Sequence, residues 1–455
     1  MRRQGVYAVP FDVEELPYEE AVAIAADTGK ISGAAGPLLE TVIDMLDELD
    51  RPDEHFDCIQ VAGTNGKTST TRFTAAILRG EGKCVALYTS PQLVRYEERM
   101  EVDGVVVASG EFSHGVSAAA SAGRRVNARR AAEGKAAYTI TPFDLLTVAA
   151  MVIFAERRVD VAVLEVGLGG RWDATSATDP VAVAITGIGL DHVRILGDTL
   201  EQIAGEKAAV IKPGRLVVLG EGTQDPAVSR VMAERCDECG VKPWRVAHET
   251  LCGPEGIGGV VSFRTRTSRH EYRVDMHKPS YQPQNAACAI ALAEGYLGCE
   301  LDASILERSL DGCPIPGRFD VVRTDPLVLV DACHNPQSCE NFVLALNELA
   351  PCVEDRPTLL IAALSDKDVS GIVDVLVPAF PRFMVTRTSS DRALPVGELA
   401  GYIRNKLTEC KRDVDVIGEY PDVSSALKAA TDAAVPIVAA GTITLAGEIA
   451  GLIRG

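Results

Sequence analysis

Residues 57–62, DCIQVA, form a short β-rich run that opens through GTNGK into KTSTTRFTAAILRGEG, a segment with helical spacing. A change from strand period to helix period across a glycine turn is the mark of a βα unit. The change recurs along the chain. KCVALYT reads as a strand, PFDLLTVAAMVIFAERR as a helix, and DVAVLEVG and VAVAITGIG as strands. TLEQIAGEKAAVI and QNAACAIALAEGYLG read as helices. Such alternation specifies the α/β class, with a mostly parallel sheet. At 313–319, CPIPGRF places two prolines and a glycine across the pattern, which then restarts with PLVLVDA, TLLIAAL, RFMVTR and VPIVAAG. This predicts a first domain over 1–312, a hinge at 313–320 and a smaller Rossmann-like αβ domain over 321–455.

Of the 455 residues, 47% are hydrophobic, enough for a large core. Lys and Arg number 45 against 64 Asp and Glu, a net charge of −19. That balance argues against nucleic-acid or anionic-membrane partners, which need a basic face. No uncharged apolar stretch approaches the ~20 residues of a membrane helix. MRRQGVYAVPFDVEELPYEE has arginines but no apolar run after them, so it does not read as a secretory signal, and the expected location is the cytoplasm. Twelve cysteines in so long a chain are not a small-scaffold disulfide framework. Cys236 and Cys239 have zinc-like spacing near His248 and Cys252, yet they fall in one amphipathic segment ending at Gly240 and no second CxxC follows. They read as buried thiols. Residues 121–135, SAGRRVNARRAAEGK, read as a basic, exposed helix or loop.

A glycine turn between a buried strand and a helix directs several backbone N–H groups into one concavity, where the helix end adds partial positive charge. Gly63, Thr64, Asn65 and Gly66 form that turn here. Lys67 follows with a point charge for terminal phosphates, and Thr68 with a hydroxyl for Mg²⁺. The strict phosphate-loop spacing requires glycine at 61, where this chain has valine. A glycine turn with an incidental lysine is the plain alternative. Two further strand ends carry polar groups: Glu165 in LEVGLGGRWDATS, and Asp191 and His192 ahead of a helix with Glu206 and Lys207. Parallel neighbouring strands would bring Lys67, Glu165 and His192 to one sheet edge, where ligands of open α/β sheets bind. LVDACHNPQS repeats the arrangement in the second domain with Asp331, His334 and Asn335.

In this order HFDCIQVAGTNGKTST, LYTSPQLVRYEERMEVDG, EVGLGGRWDATS, LDHVRILGDTLEQIAGEKAAVIKPG, PGRF, DACHNP, LSDKD and GTITLAGEI run from about Tyr18 to about Ile449. Together they resemble folylpolyglutamate synthase and dihydrofolate synthase, of the muramyl-ligase superfamily. The resemblance implies an ATP-dependent ligase of L-glutamate and a folate or dihydropteroate carboxylate, expected as a monomer. Gly63 to Thr68, with Lys67 as a catalytic cation, would hold the phosphates. Ser90 and Glu165 would bind one Mg²⁺, and His192 would help with a second. Lys207 would become carbamylated and reach that second ion. Asn285 looks like an adenine contact, Arg318 like a phosphate contact from the hinge, and Asp331 and His334 like ribose and phosphate contacts. Arg387, Ser389 and Arg392, in VTRTSSDRALP, offer groups for glutamate's carboxylates, beside the plainer reading of a solvated loop.

This chain departs from the family pattern at Gln92 in TSPQL, at GKTS, at Trp172, at DACHNP and at Asp144 in TPFD. Gln92, Asp144 and Trp172 bear on the pterin side. Two other readings stay open on sequence: a muramyl-type amino-acid ligase with another acceptor, and a non-catalytic nucleotide-binding paralogue.

Overall fold

The computed structural model describes residue 3, residues 5–27 and residues 38–454; Met1 and Gly455, the outer limits of the predicted domains, lie outside these. The chain divides into two compact units. The first comprises Met1–Glu249, Arg264–Val274 and Pro283–Cys313, and the second Thr250–Phe263, Asp275–Gln282 and Pro314–Gly455. The sequence reading drew one boundary at 313–320, whereas the units interleave before that point.

The first unit is built on an eight-stranded sheet. Its strands are β1 (Asp57–Ala62), β2 (Val85–Tyr88), β3 (Met100–Val102), β4 (Val105–Val106), β5 (Val161–Glu165), β6 (Ala182–Gly187), β7 (Leu216–Gly222) and β8 (Trp244–Arg245), in the order β4-β3-β2-β5-β1-β6-β7-β8. From β2 to β8 the pairing is parallel, and β3 and β4 add an antiparallel edge. The register sets Val61 beside both Glu165 and Ala184, so β1 and β5 end side by side and β6 runs on to Gly187. Every residue of β5 is buried, as expected where helices cover both faces of a parallel strand. The helix Pro142–Glu156 is buried along nearly its whole length, which explains why its sequence is apolar all round. No helix among the described residues is long and apolar enough to cross a membrane.

The basic stretch at 121–135 proves to be the second half of the helix Ser109–Ala132 and its exit. Arg125 and Arg129 both clamp Glu48, Arg125 also lies 4.6 Å over the Phe11 ring, and Arg130 lies 3.6 Å over the Tyr138 ring. Its positive charge is spent inside the unit. Cys236 and Cys239 sit in an apolar cluster with Val228, Met232 and Ile211.

A three-stranded sheet follows in order β11-β10-β9, with β9 at His248–Cys252, β10 at Val261–Arg266 and β11 at Glu271–Met276. The second unit carries a six-stranded sheet: β12 (Asp320–Thr324), β13 (Leu327–Val330), β14 (Thr358–Ile361), β15 (Phe383–Val385), β16 (Ile417–Glu419) and β17 (Ile437–Ala440), ordered β12-β13-β17-β14-β15-β16. Only the β12–β13 pair is antiparallel. Leu329, Phe342, Leu359, Phe380, Phe383 and Leu399 anchor its core. The α/β reading of both parts stands.

Candidate active site

The loop between β1 and the helix Lys67–Gly80 cannot be built from ordinary residues. Gly63 has φ +149°, and a Cβ there would lie 2.0 Å from Thr186 Oγ1. Gly66 has φ +82°, and its Cβ would lie 2.2 Å from Asn285 Oδ1. Both close approaches require glycine. The loop is strapped to the exit of β6. Thr64 N–H donates to Gly187 O at 2.8 Å, Thr64 Oγ1 is bonded to the Gly189 backbone, and Thr186 Oγ1 donates to Asn65 O at 2.6 Å. No side chain caps the start of the helix Lys67–Gly80. Its first-turn N–H groups therefore suit an anion.

Two ammonium groups converge on one carbonyl. Lys67 Nζ donates to Gly63 O and Thr64 O, both at 3.1 Å, and Lys207 Nζ donates to Gly63 O at 2.8 Å. Lys207 comes from the last turn of the helix Leu200–Ala208 and is only 5% exposed. Burial, and next the charge of Lys67, lower its pKa to about 7, with Asp191 and Asp173 opposing. Glu165, at the end of β5, is 2% exposed. Its Oε1 accepts from Thr68 Oγ1 at 2.9 Å and its Oε2 from the Ser90 N–H at 3.3 Å. The Asn285 side chain is buried against Gly66, and its backbone carbonyl accepts from Thr70 Oγ1. One chain of contacts therefore joins Gly63–Thr68, Ser90, Glu165, Lys207 and Asn285. Sequence reasoning missed Thr186, whose hydroxyl shapes the loop from the neighbouring strand.

The other predicted residues stand differently. His192 is exposed, with φ +50°, and follows Asp191 on the segment that Thr64 holds at Gly189. Gln92 Oε1 accepts from Arg99 Nε at 2.7 Å. Asp144 accepts from the Thr141 N–H at 3.0 Å while Thr141 Oγ1 accepts from the Asp144 N–H, a reciprocal cap on the helix Pro142–Glu156. That gives Asp144 a structural task at the start of this helix. Trp172 is half exposed.

In the second unit, Asp331 is buried at the end of β13. Its Oδ2 accepts from Tyr281 Oη at 3.1 Å and Phe319 N–H at 2.8 Å, and its Oδ1 from Cys333 N–H at 2.9 Å. Burial raises its pKa, and the Arg318 charge opposes that. A carboxylate with three internal donors holds the backbone around it, a task the sequence did not reveal. His334 Nδ1 lies 2.9 Å from Ala332 O, and Asn335 caps the next helix through the Ser338 N–H. Beyond β15, Arg387 is exposed, Ser389 donates through N–H and Oγ to Glu448 at 2.7 Å, and Arg392 pairs with Asp366 at 2.9 Å. Thr386 and Thr388, missed in the sequence, bury hydroxyls with no hydrogen-bond partner among the described residues.

Comparison with known proteins gives these residues a context. No family model matches the chain. It is 36% identical over 367 residues to a probable bifunctional folylpolyglutamate synthase/dihydropteroate synthase of Haloferax volcanii, covering 79% of this chain but 42% of that one. The chain thus spans under half the length of that relative. It is 31% identical over 453 residues to the dihydrofolate synthase/folylpolyglutamate synthase of Mycobacterium tuberculosis, covering 90% of this chain and 89% of the other. In structure it resembles Mycobacterium tuberculosis folylpolyglutamate synthase complexed with ADP and AMPPCP, at TM-score 0.82, 28% identity and coverage of 92% and 96%. It also resembles the bifunctional folylpolyglutamate synthase/dihydrofolate synthase of Yersinia pestis complexed with AMPPNP and Mn, at TM-score 0.78, 27% identity and coverage of 97% and 98%. The chain belongs to the folylpolyglutamate synthase/dihydrofolate synthase family of ATP-dependent ligases.

Proposed function

We propose that this protein joins the amine of L-glutamate to the carboxylate of a folate or dihydropteroate, consuming ATP through an acyl phosphate. The observation that carries the reading is the single contact set joining the glycine loop, Lys67, Thr68, Glu165 and Lys207. A carboxylate is a poor electrophile at neutral pH. Transfer of the γ-phosphate to it creates a leaving group, after which the amine attacks and phosphate departs. Two anions must meet in the first step, so the site has to neutralise charge and align the reactants. The glycine loop, the uncapped helix N-terminus and Lys67 supply that for the phosphates.

Glu165 and the Thr68 hydroxyl, with Ser90 tied to Glu165 through its N–H, offer oxygen donors that fit Mg²⁺, as the manganese in the Yersinia pestis relative also supports. Bound there, the ion would neutralise phosphate charge. His192 and a carbamylated Lys207 are proposed for a second ion. A lysine whose amine is neutral near pH 7 can add CO₂, forming the N–C bond and releasing one proton. The product is an anionic oxygen donor.

We assign the adenine side to Asn285, and further nucleotide contacts to Arg318 and His334, with Asp331 fixing the backbone beside them. Glutamate is proposed for the loop after β15. There Arg392 and Ser389 already have acidic partners, so exposed Arg387 should carry more of the recognition. Arg387→Ala is expected to raise the KM for glutamate on the order of tenfold, the worth of one charge-assisted hydrogen bond. An unchanged KM would remove glutamate from this loop.

The GKTS variant keeps one competing reading in view, ligation of an amino acid to a muramyl precursor. Phosphate release, with glutamate present, should be measured while dihydropteroate, tetrahydrofolate and a muramyl-peptide precursor are offered in turn. Turnover with a pterin carboxylate alone supports the proposal. Turnover only with the muramyl precursor overturns it.

A further inference from the structure

The helix Leu200–Ala208, whose last turn carries Lys207, ends in an unusual way. A helix leaves its final carbonyls without intrahelical donors. Here the N–H groups of both Ala209 and Val210 turn to the carbonyl of Lys207. The carbonyls of Gly205 and Glu206 are taken instead by one residue of another loop. Arg171 N–H donates to Glu206 O at 3.1 Å, and Arg171 Nη2 donates to Gly205 O at 3.3 Å. Arg171 Nε also reaches Glu206 Oε1 at 2.9 Å. The neighbouring Gly170 lies flat on the same turn. A Cβ at 170 would meet Glu206 O at 2.9 Å, Lys207 O at 3.1 Å and Val210 Cγ1 at 2.8 Å. Ser176 Oγ holds Gly170 from behind, donating to its carbonyl at 2.6 Å. This loop begins directly after Glu165.

We infer that Arg171 and Gly170 form a C-terminal cap supplied from the Glu165 loop, and that this cap positions Lys207 at the Gly63 carbonyl. Arg171 is a positioning residue for the reaction, acting through Lys207, and the inference rests on the proposed role of that lysine. The elements it joins are those that must stay in register: the end of β5, the last turn of the lysine's helix and the glycine loop. A cation at a helix C-terminus also suits the helix dipole. The Arg171–Glu206 ion pair is the lesser part, since its side chains are 47% and 29% exposed and such pairs contribute little. The Arg171 guanidinium on the Gly205 carbonyl and the close packing of Gly170 carry the effect.

The test is steady-state kinetics of Arg171→Ala, Gly170→Ala, Glu206→Gln and Lys207→Ala in the full chain, with Arg171→Ala also placed on the Lys207→Ala background. Misplacing a reacting group by a fraction of an ångström costs on the order of tenfold in rate. Arg171→Ala and Gly170→Ala should therefore each lower kcat by about that factor, with the KM for ATP within about twofold of the parent. Glu206→Gln should lose less than about threefold. On the Lys207→Ala background, Arg171→Ala should add no further loss, because the group it positions is gone. A merely structural defect would instead multiply with the Lys207 defect, and that result overturns the inference. So does an Arg171→Ala enzyme within about twofold of the parent while Lys207→Ala is inactive, which leaves the reading of Lys207 standing. A Lys207→Ala enzyme at near-normal rate overturns both.

Discussion

Lys207→Ala is expected to lose activity by on the order of a hundredfold or more, and small carboxylic acids added to it should restore part of the rate. Lys207→Arg should stay inactive, because it keeps positive charge but forms no carbamate. The argument begins with burial. An ammonium with 5% exposure, sharing the Gly63 carbonyl with a second ammonium, is a poor place for a fixed charge. Desolvation and Lys67 both favour the neutral amine, and the pKa falls to about 7. Lysine is neutral above its pKa, so the reactive fraction rises as pH increases through about 7. At fixed dissolved CO₂, activation of the enzyme should therefore speed up from pH about 6 to about 8. A Lys207→Arg enzyme working at near-normal rate would show that positive charge was the requirement.

The second large effect belongs to Glu165. Glu165→Gln keeps the shape of the side chain and one acceptor oxygen but removes the charge. Rate should fall on the order of a thousandfold, the several kcal/mol of charge stabilisation that a bound cation supplies. The Mg²⁺ concentration needed for half-maximal rate should rise with it. The melting temperature reports separately on the lost contacts to Thr68 and Ser90, so a folding defect is distinguishable. Unchanged rate and unchanged Mg²⁺ dependence would remove Glu165 from the site.

These effects attach to the part of the molecule that was most legible in the sequence, and the reason is local. A glycine turn between a buried strand and a helix needs only adjacent residues to be recognised, and the parallel strands then bring Glu165 beside the β1 exit through register alone. Lys207 reached the site by resemblance; its contact with Gly63 depends on a residue 144 positions away. Arg171 was quoted within its motif but not singled out, because a helix end capped from another loop leaves no periodic signal. The bonds that Asp331 accepts were not legible, since one of its three donors is Tyr281, 50 positions distant. The Asp144 cap was legible: Thr141 and Asp144 stand three apart ahead of an apolar run, the spacing of a capping box. Between 248 and 276 the alternation was also present, with Val261, Phe263 and Thr265 facing in, and Tyr272, Val274 and Met276 after the turn. Their outward residues are mostly charged, so they lack the apolar runs that announced the main sheets. The interleaving of the two units follows from this same region and is invisible to any reading that looks for one boundary.

The most direct test of the account is to follow oxygen. Dihydropteroate labelled with ¹⁸O in its carboxylate should be incubated with the protein, ATP, Mg²⁺ and L-glutamate, and the released phosphate examined by mass spectrometry. An acyl phosphate leaves one carboxylate oxygen on phosphorus when the amine displaces it. The account predicts one ¹⁸O in each phosphate released, in step with ADP and with glutamylated product. Unlabelled phosphate alongside ADP, with no glutamate joined to the pterin, would contradict it.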